Sequence, residues 1–162
     1  MTTAQPTGRV AQINVSPGGV PKLPVPQATL GPLGLAGDGH RNRRHHGGPT
    51  RAVCLFSLEQ IRALQAEGHP IEPGATGENL TTEGIDLGAL RPGDRLAIGD
   101  AVVLEITTEA IPCANLTPYF ADGRIGRVSG KAHPGWSRLY AGVVRGGELV
   151  VGAPIRVLPA AV

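Results

Sequence analysis

The stretch RLAIGDAVVLEIT, residues 95–107, decides the fold class because it holds two short β-favouring runs separated by a turn. Residues 95–98 and 101–107 are rich in valine, isoleucine and leucine, which favour strands. Gly99 and Asp100 between them are typical of a two-residue hairpin loop. The sequence therefore predicts an antiparallel hairpin whose second strand leads directly towards Cys113.

The rest of the chain repeats this pattern of short apolar runs and turn residues. Among its 162 residues are 24 glycines and 15 prolines, with no collagen-like period. Both residue types interrupt helices, so the composition favours a β-barrel or sandwich over a helical bundle. Strands are predicted at 9–15 and 52–56, and a three-stranded meander at 139–158. The length fits one domain, and we expect a mainly β protein with minor α content.

One helix is clearly indicated near residues 58–67. It follows the apolar run 52–56 and starts at an S-x-x-Q capping box formed by Ser57 and Gln60, in which each side chain serves a backbone amide of the other. Gly68 is a typical helix stop.

Charge and cysteine content exclude several classes of protein. The formal charge of +2 is too small to indicate nucleic-acid binding. No run of 18 apolar residues indicates a membrane span, and the N-terminus lacks a secretory signal, so we expect a cytoplasmic protein. Two cysteines are too few for a disulfide scaffold, and Cys54 and Cys113 are expected to be free thiols.

The glycine-rich loop 33–49 is the first candidate for function. It carries His40, His45 and His46 together with three arginines at positions 41, 43 and 44. Glycines let backbone amides approach an anion and cationic side chains hold it, so the loop suits a phosphate-like group. A solvated basic loop is an alternative. Zinc bound by the three histidines is another, although their spacing is not that of a strong zinc site.

Three further positions suggest chemistry. Cys113 follows a strand and a proline, where a partly exposed thiol near cationic loops would act as a thiolate; the alternative is a small buried residue. Cys54 lies inside an apolar run and is expected to be a packed core residue. Glu78 and Asn79 follow the turn at Gly77 and are placed to hydrogen-bond a ligand.

Taken together, these segments resemble the MOSC (molybdenum cofactor sulfurase C-terminal) domain over about residues 9–158. Residues 1–8 are then a flexible tail, and the remainder is a single domain. The segments that carry the resemblance are GLAGD (34–38), HGGP (46–49), AV (52–53), SLE (57–59), GENL (77–80), GDRL (93–96), IG (98–99), LEIT (104–107), PC (112–113) and the closing segment 143–157.

The resemblance implies a closed mixed β-barrel of the pyruvate-kinase-barrel-like kind that binds a pyranopterin molybdenum cofactor. Cys113 would be both the catalytic residue and a molybdenum ligand, since a thiolate is a soft ligand. Glu109, Ala110 and Ile111 stand where the family often has a basic residue before this cysteine. The cofactor-binding residues that the resemblance implies are Lys22, His46, Arg51, Glu78 and Asn79, of which Lys22, His46 and Arg51 would hold the pterin phosphate.

Three functions follow from this resemblance. The first is a molybdenum-dependent oxidoreductase that reduces N-hydroxylated small molecules with electrons from a partner protein, because the sequence has no flavin, haem or iron–sulfur pattern. The second is a sulfur carrier, in which Cys113 accepts persulfide sulfur from a donor protein and passes it to a metal–sulfur acceptor. The third is a barrel that binds a small anion without catalysis.

Overall fold

The computed structural model describes residues 7–39 and 49–159, which form eleven strands and one α-helix. The prediction of a mainly β protein with minor α content is confirmed. The strands are β1 (Thr7–Val15), β2 (Leu23–Val25), β3 (Gln27–Gly31), β4 (Gly34–Leu35), β5 (Val53–Ser57), β6 (Leu80–Glu83), β7 (Arg95–Ile98), β8 (Val102–Ala110), β9 (Arg138–Arg145), β10 (Gly147–Val150) and β11 (Pro154–Val157). The helix α1 is Leu58–Ala66, and short 3₁₀ helices are Leu87–Ala89, Ala114–Tyr119, Ala121–Gly123 and Ile125–Val128.

Seven strands form a closed barrel. They follow one another in the order β11, β7, β8, β9, β5, β6 and β1, and β1 pairs again with β11 to close the ring. β5 and β6 run parallel while the other neighbouring pairs run antiparallel, so the barrel is mixed, as predicted. Closure leaves no unpaired edge within the ring.

The predicted hairpin is present as β7 and β8, with Ile98 opposite Val102. Its loop has three residues, 99–101, rather than the predicted two, because Ala101 remains outside the ladder. Gly99 takes a φ of +61°, a left-handed conformation that glycine adopts without steric cost. β8 then runs to Ala110 and delivers the chain to Cys113.

The predicted C-terminal meander is wrong. β10 does not pair with β9 but with β3, in a separate three-stranded sheet with β4, while β11 pairs with β7 and β1. Leu149 of β10 is buried in the barrel core together with Leu30 and Leu35. The partners of β10 are therefore determined by burial of Leu149 beside residues distant in the sequence, and not by closeness in the sequence.

The ends of the domain differ slightly from the predicted boundaries. β1 starts at Thr7, and Thr7 and Gly8 lie opposite Arg156 and Ile155 of β11, so these two residues of the predicted tail belong to the barrel. Residues 1–6 lie outside the described part of the chain. Within the described residues, no helix has both the length and the apolar character needed to cross a bilayer.

β5 is buried on both faces, which explains its uninterrupted apolar sequence. Val53 and Leu55 face the barrel core, whereas Phe56 packs against α1 in a second cluster. Cys54 also points away from the barrel core, towards Ala110 and Tyr140. The outer face of β5 therefore carries the first thiol, and the helices pack over Phe56 on the same face.

α1 begins and ends largely as predicted. The Oγ of Ser57 accepts a hydrogen bond from the backbone N–H of Gln60 at 3.2 Å. The reciprocal half of the predicted capping box is absent, because the Gln60 side chain instead donates to the carbonyl of Gly135 at 2.7 Å. Gly68, with a φ of +100°, lies just after the end of the helix. The side chain of Gln60 thus ties the helix to the loop that precedes β9.

Candidate functional site

Strands β5 and β9 bring Cys54, Arg138 and Tyr140 together on the outer face of the barrel. Cys54 lies directly opposite Tyr140, and Ala110 lies opposite Arg138. The Arg51 guanidinium stands 5.6 Å from the centroid of the Tyr140 ring, a distance typical of a cation–π contact. We call Arg51, Cys54, Cys113, Arg138 and Tyr140 the outer-face cluster.

Cys113 joins this cluster from the end of β8. The chain leaves the sheet after Ala110, and Cys113 lies at the start of the 3₁₀ helix Ala114–Tyr119 with its thiol free and half-buried. The negative charge of a Cys113 thiolate acts to raise the pKa of the Tyr140 phenol, so the two side chains are neighbours. A half-buried free thiol in this position is accessible to a ligand. The catalytic and metal-binding roles predicted for Cys113 remain predictions.

Cys54 differs sharply from Cys113. It is buried, and desolvation raises the pKa of its thiol to about 11, although the nearby Arg138 guanidinium acts in the opposite direction. The thiol therefore stays protonated near neutral pH and is a poor nucleophile or metal ligand. Its burial agrees with the packed position expected from the sequence, but its neighbours include an arginine and a tyrosine.

Tyr140 keeps its proton as well. Burial, followed by the charge of Cys54, raises the pKa of its phenol to about 12, while Arg138 and Arg51 act to lower it. The phenol is thus neutral near pH 7 and able to donate a hydrogen bond.

Lys22 belongs to a buried ion pair beside the cluster. Its Nζ lies 2.6 Å from Oδ1 of Asp38, and the two side chains are 9% and 1% exposed. Asp38 Oδ2 accepts a hydrogen bond of 2.8 Å from Nδ2 of Asn79, whose Oδ1 accepts one of 2.9 Å from the backbone N–H of Cys54. Lys22 and Asn79, both predicted to bind a cofactor, therefore have protein partners and fix the backbone of β5 at Cys54.

Glu78, also predicted to bind a cofactor, is completely buried. Its carboxylate accepts hydrogen bonds from the N–H of Gly74 at 3.0 Å and from the hydroxyls of Thr76 and Thr81 at 2.8 and 3.0 Å. Burial raises the pKa of this carboxyl above its ordinary value of 4.5. These contacts hold the turn before β6 in place, and contact between Glu78 and a ligand remains a prediction.

The raised pKa of Glu78 predicts a pH-dependent stability. The folded state holds the proton of Glu78 more tightly than the unfolded state does. The protonated carboxyl therefore adds most to the free energy of unfolding below pH 4.5, and this contribution is lost as pH rises through the raised pKa. Glu78→Gln removes this titration but places an amide against three donors, so we expect it to be less stable at pH 4 by about 1–3 kcal/mol. The deficit should shrink as pH increases, measured by urea unfolding between pH 4 and 7. Glu105→Gln is the surface control, and parallel curves for wild type and Glu78→Gln would contradict the prediction.

Arg138 and Tyr140 are site residues that the sequence analysis missed. Arg138 is buried and donates from Nη1 to the carbonyl of Thr76 at 2.8 Å. An arginine directly before the mainly apolar run 139–144 was the available signal, but the predicted strand began at residue 139. Its pairing with Ala110, and hence its place near Cys113, depends on the long-range register of β8 and β9.

Of the glycine-rich loop 33–49, residues 33–39 and 49 are described, and Asp38 among them pairs with Lys22. His46, predicted to bind the cofactor, and the alternative zinc ligands His40 and His45 all lie within residues 40–48, outside the described residues. In 7–39 and 49–159, no group of three or more histidine, cysteine, aspartate or glutamate side chains comes together as a metal site.

The fold and the outer-face cluster define a small closed-barrel protein with a half-buried free thiol near Tyr140. The family model for the MOSC domain matches residues 42–156, and the chain belongs to this family. The resemblance recognised in the sequence is thereby confirmed.

Individual relatives agree with this assignment. The chain is 29% identical to protein YiiM of Escherichia coli (strain K12), covering 94% of this chain and 69% of that protein. It is 30% identical to YflK of Bacillus subtilis (strain 168), covering 86% and 63%. A reductase of Gibberella moniliformis (strain M3125 / FGSC 7600) is 32% identical over 77% of this chain but only 22% of its own length. The chain thus spans about two thirds of the bacterial relatives and a small part of the fungal protein.

Solved structures share the fold. The YuaD protein from Bacillus subtilis superposes with a TM-score of 0.74 at 20% identity, covering 93% of this chain and 95% of that one. At this identity the likeness concerns the fold alone.

Proposed function

We propose that this chain binds a pyranopterin molybdenum cofactor at the outer-face cluster and reduces N-hydroxylated small molecules. The observation that carries the proposal is the half-buried free thiol of Cys113, which lies beside Tyr140 and within the cluster that contains Arg51. Membership of the MOSC family and likeness to a protein named a reductase support the direction of the chemistry.

The donor set fits such a cofactor. A thiolate is a soft ligand suited to a molybdenum centre, and Cys113 is accessible enough to act as one. Because the described residues bring no three metal-binding side chains together, the metal's remaining ligands would belong to the cofactor. When bound, the cofactor supplies the two-electron redox chemistry.

The chain's own residues bind, orient and hold protons. Cleavage of an N–O bond consumes two electrons and two protons and yields the amine or amidine and water. Tyr140 holds a proton on its phenolic oxygen at neutral pH and is a hydrogen-bond donor of the cluster. The electrons come from a partner protein, since the sequence carries no redox-group pattern of its own.

The predicted cofactor-binding residues take different parts in this proposal. Arg51 stands directly in the cluster and would contact an anionic group of the cofactor. Lys22, Glu78 and Asn79 act indirectly, since their hydrogen bonds and ion pair hold the backbone around Cys54 and β6. They are therefore positioning residues.

Metal analysis tests the proposal. Protein purified from a molybdenum-replete host should contain near-stoichiometric molybdenum and pterin, and Cys113→Ala should lose the molybdenum. The matched control is Cys54→Ala, which should keep it because that thiol is buried and protonated. Persulfide on Cys113 of metal-free wild-type protein would instead support a sulfur carrier. Wild-type protein with neither molybdenum nor persulfide would overturn both functions.

A further inference from the structure

A cavity of about 370 Å³ opens at the end of the barrel where β8 leaves the sheet. Glu109, opposite Leu139 in the ladder, lies in its wall, whereas the next residue, Ala110, belongs to the buried cluster with Cys54 and Tyr140. The cavity is therefore on the opposite face of β8 from the outer-face cluster. Its volume is in the range of small-molecule sites. Its apolar part consists of four barrel-core side chains, Leu87, Leu90, Ile106 and Leu139.

Two charged residues line the cavity, Arg91 and Glu109, and they carry opposite charges. In residues 7–39 and 49–159, no lysine, arginine or histidine nitrogen lies within 4.0 Å of the Glu109 carboxylate, and no carboxylate oxygen lies within 4.0 Å of the Arg91 guanidinium. Nη1 of Arg91 donates to the carbonyls of Gly88 and Leu90 at 3.3 and 3.1 Å, which holds the guanidinium beside the cavity. The wall thus presents one unpaired cation and one unpaired anion.

Gly130 provides the space in which the Glu109 carboxylate lies. A Cβ atom at position 130 would stand 2.3 Å from Oε2 and 2.8 Å from Oε1 of Glu109, so the carboxylate packs directly against the glycine. The wall on this side is also held in place. A Cβ atom on Gly88 would stand 2.9 Å from the carbonyl oxygen of Gly135, and the same oxygen accepts a hydrogen bond from the Gln60 side chain at 2.7 Å. The position of the carboxylate in the cavity therefore depends on a glycine at 130.

We propose that this cavity binds a small zwitterion with an apolar side chain, of the α-amino-acid class. The Glu109 carboxylate receives the ammonium group of the ligand, the Arg91 guanidinium receives its carboxylate, and the apolar side chain lies on the barrel-core residues. Such a ligand supplies each unpaired charge with its counter-charge, whereas a simple amine or a simple carboxylate leaves one of them unpaired. The site uses no residue of the outer-face cluster and goes beyond the proposed reductase.

Isothermal titration calorimetry of metal-free protein with L-leucine tests the site. We expect saturable binding to the wild type. Isopentylamine, which lacks the carboxylate, and isocaproate, which lacks the ammonium group, should each bind at least about tenfold more weakly. Absence of leucine binding would overturn the proposal. Equal affinities for isopentylamine and leucine would also overturn it, because the site would then recognise an organic cation alone.

Variants of the cavity wall give an independent check. Glu109→Gln should weaken leucine binding at least about tenfold, and Glu105→Gln, four residues earlier on β8, should leave it within about twofold. Gly130→Ala keeps the charge of Glu109 but fills the space of its carboxylate, so binding should weaken at least about threefold. Gly126→Ala is the matched control, since a Cβ there meets no atom within 4 Å and neither glycine has a positive φ. An unchanged affinity in Glu109→Gln would contradict the assignment.

A further measurement needs no variant. The nuclear magnetic resonance signals of the Gly130 and Gly135 amides should shift on leucine addition with the same midpoint as the calorimetric titration, while that of Gly126 stays in place. Unmoved signals at both cavity glycines would overturn the proposal. Neither readout involves Cys113 or molybdenum, so failure of this site and failure of the proposed reductase are separate results.

Discussion

Replacing Cys113 by alanine is expected to lower kcat/KM for an N-hydroxylated substrate by about 10³-fold or more, equivalent to about 4 kcal/mol of lost transition-state stabilisation. The proposed mechanism depends on one accessible thiolate, and the described structure offers no substitute for it. The other cysteine, Cys54, is buried with a thiol pKa raised to about 11. The rate of amidoxime reduction with a chemically reduced electron donor measures the effect.

The same assay separates the two thiols. Cys54→Ala should retain activity within about threefold, since it removes one small buried group and leaves the metal ligand in place. Thermal unfolding of each variant shows whether the barrel is intact. If Cys113→Ala were folded and as active as the wild type, the thiol would have no part in the reaction and the assignment of the site would be wrong.

The parts of the structure that were predicted correctly depend on local signals. Residues 95–107 specify a hairpin because turn residues separate two strand-forming runs, and Ser57 specifies the start of α1 because its Oγ can serve the amide of Gln60. Interactions of this kind span a few residues. Sequence spacing therefore reveals them without knowledge of the fold.

The site depends on contacts that span long stretches of the chain. Arg138 lies opposite Ala110, and Asn79 binds both Asp38 and the backbone of Cys54. No local sequence pattern encodes these contacts. The sequence therefore predicted cations near Cys113 but did not identify Arg138. The ion pair of Lys22 was missed for the same reason, since an isolated lysine after a proline indicates no particular partner.

The ion pair of Lys22 and Asp38 gives the second large effect, this time on stability. Asp38→Ala should lower the free energy of unfolding by about 3–5 kcal/mol, because it leaves a buried ammonium without its counter-charge. The Nδ2 of Asn79 would also lose the shorter of its two hydrogen bonds and keep only the one of 3.4 Å to the carbonyl of Asn14. Urea unfolding at pH 7 measures the change. Glu105→Ala is the matched control, since Glu105 pairs with Arg95 at 3.0 Å on the surface and should cost less than about 1 kcal/mol.

A second substitution distinguishes a stranded charge from loss of packing. Adding Lys22→Met to Asp38→Ala removes the unpaired ammonium, so the double variant should be more stable than Asp38→Ala alone. Equal stability of the two would mean that Asp38 acts through its hydrogen bonds to Asn79 and to the backbone N–H of Ser16, and not through Lys22. Recovery would instead assign the ion pair a structural role: Asp38 is held by Lys22, and it in turn holds Asn79 and, through Asn79, the backbone of Cys54.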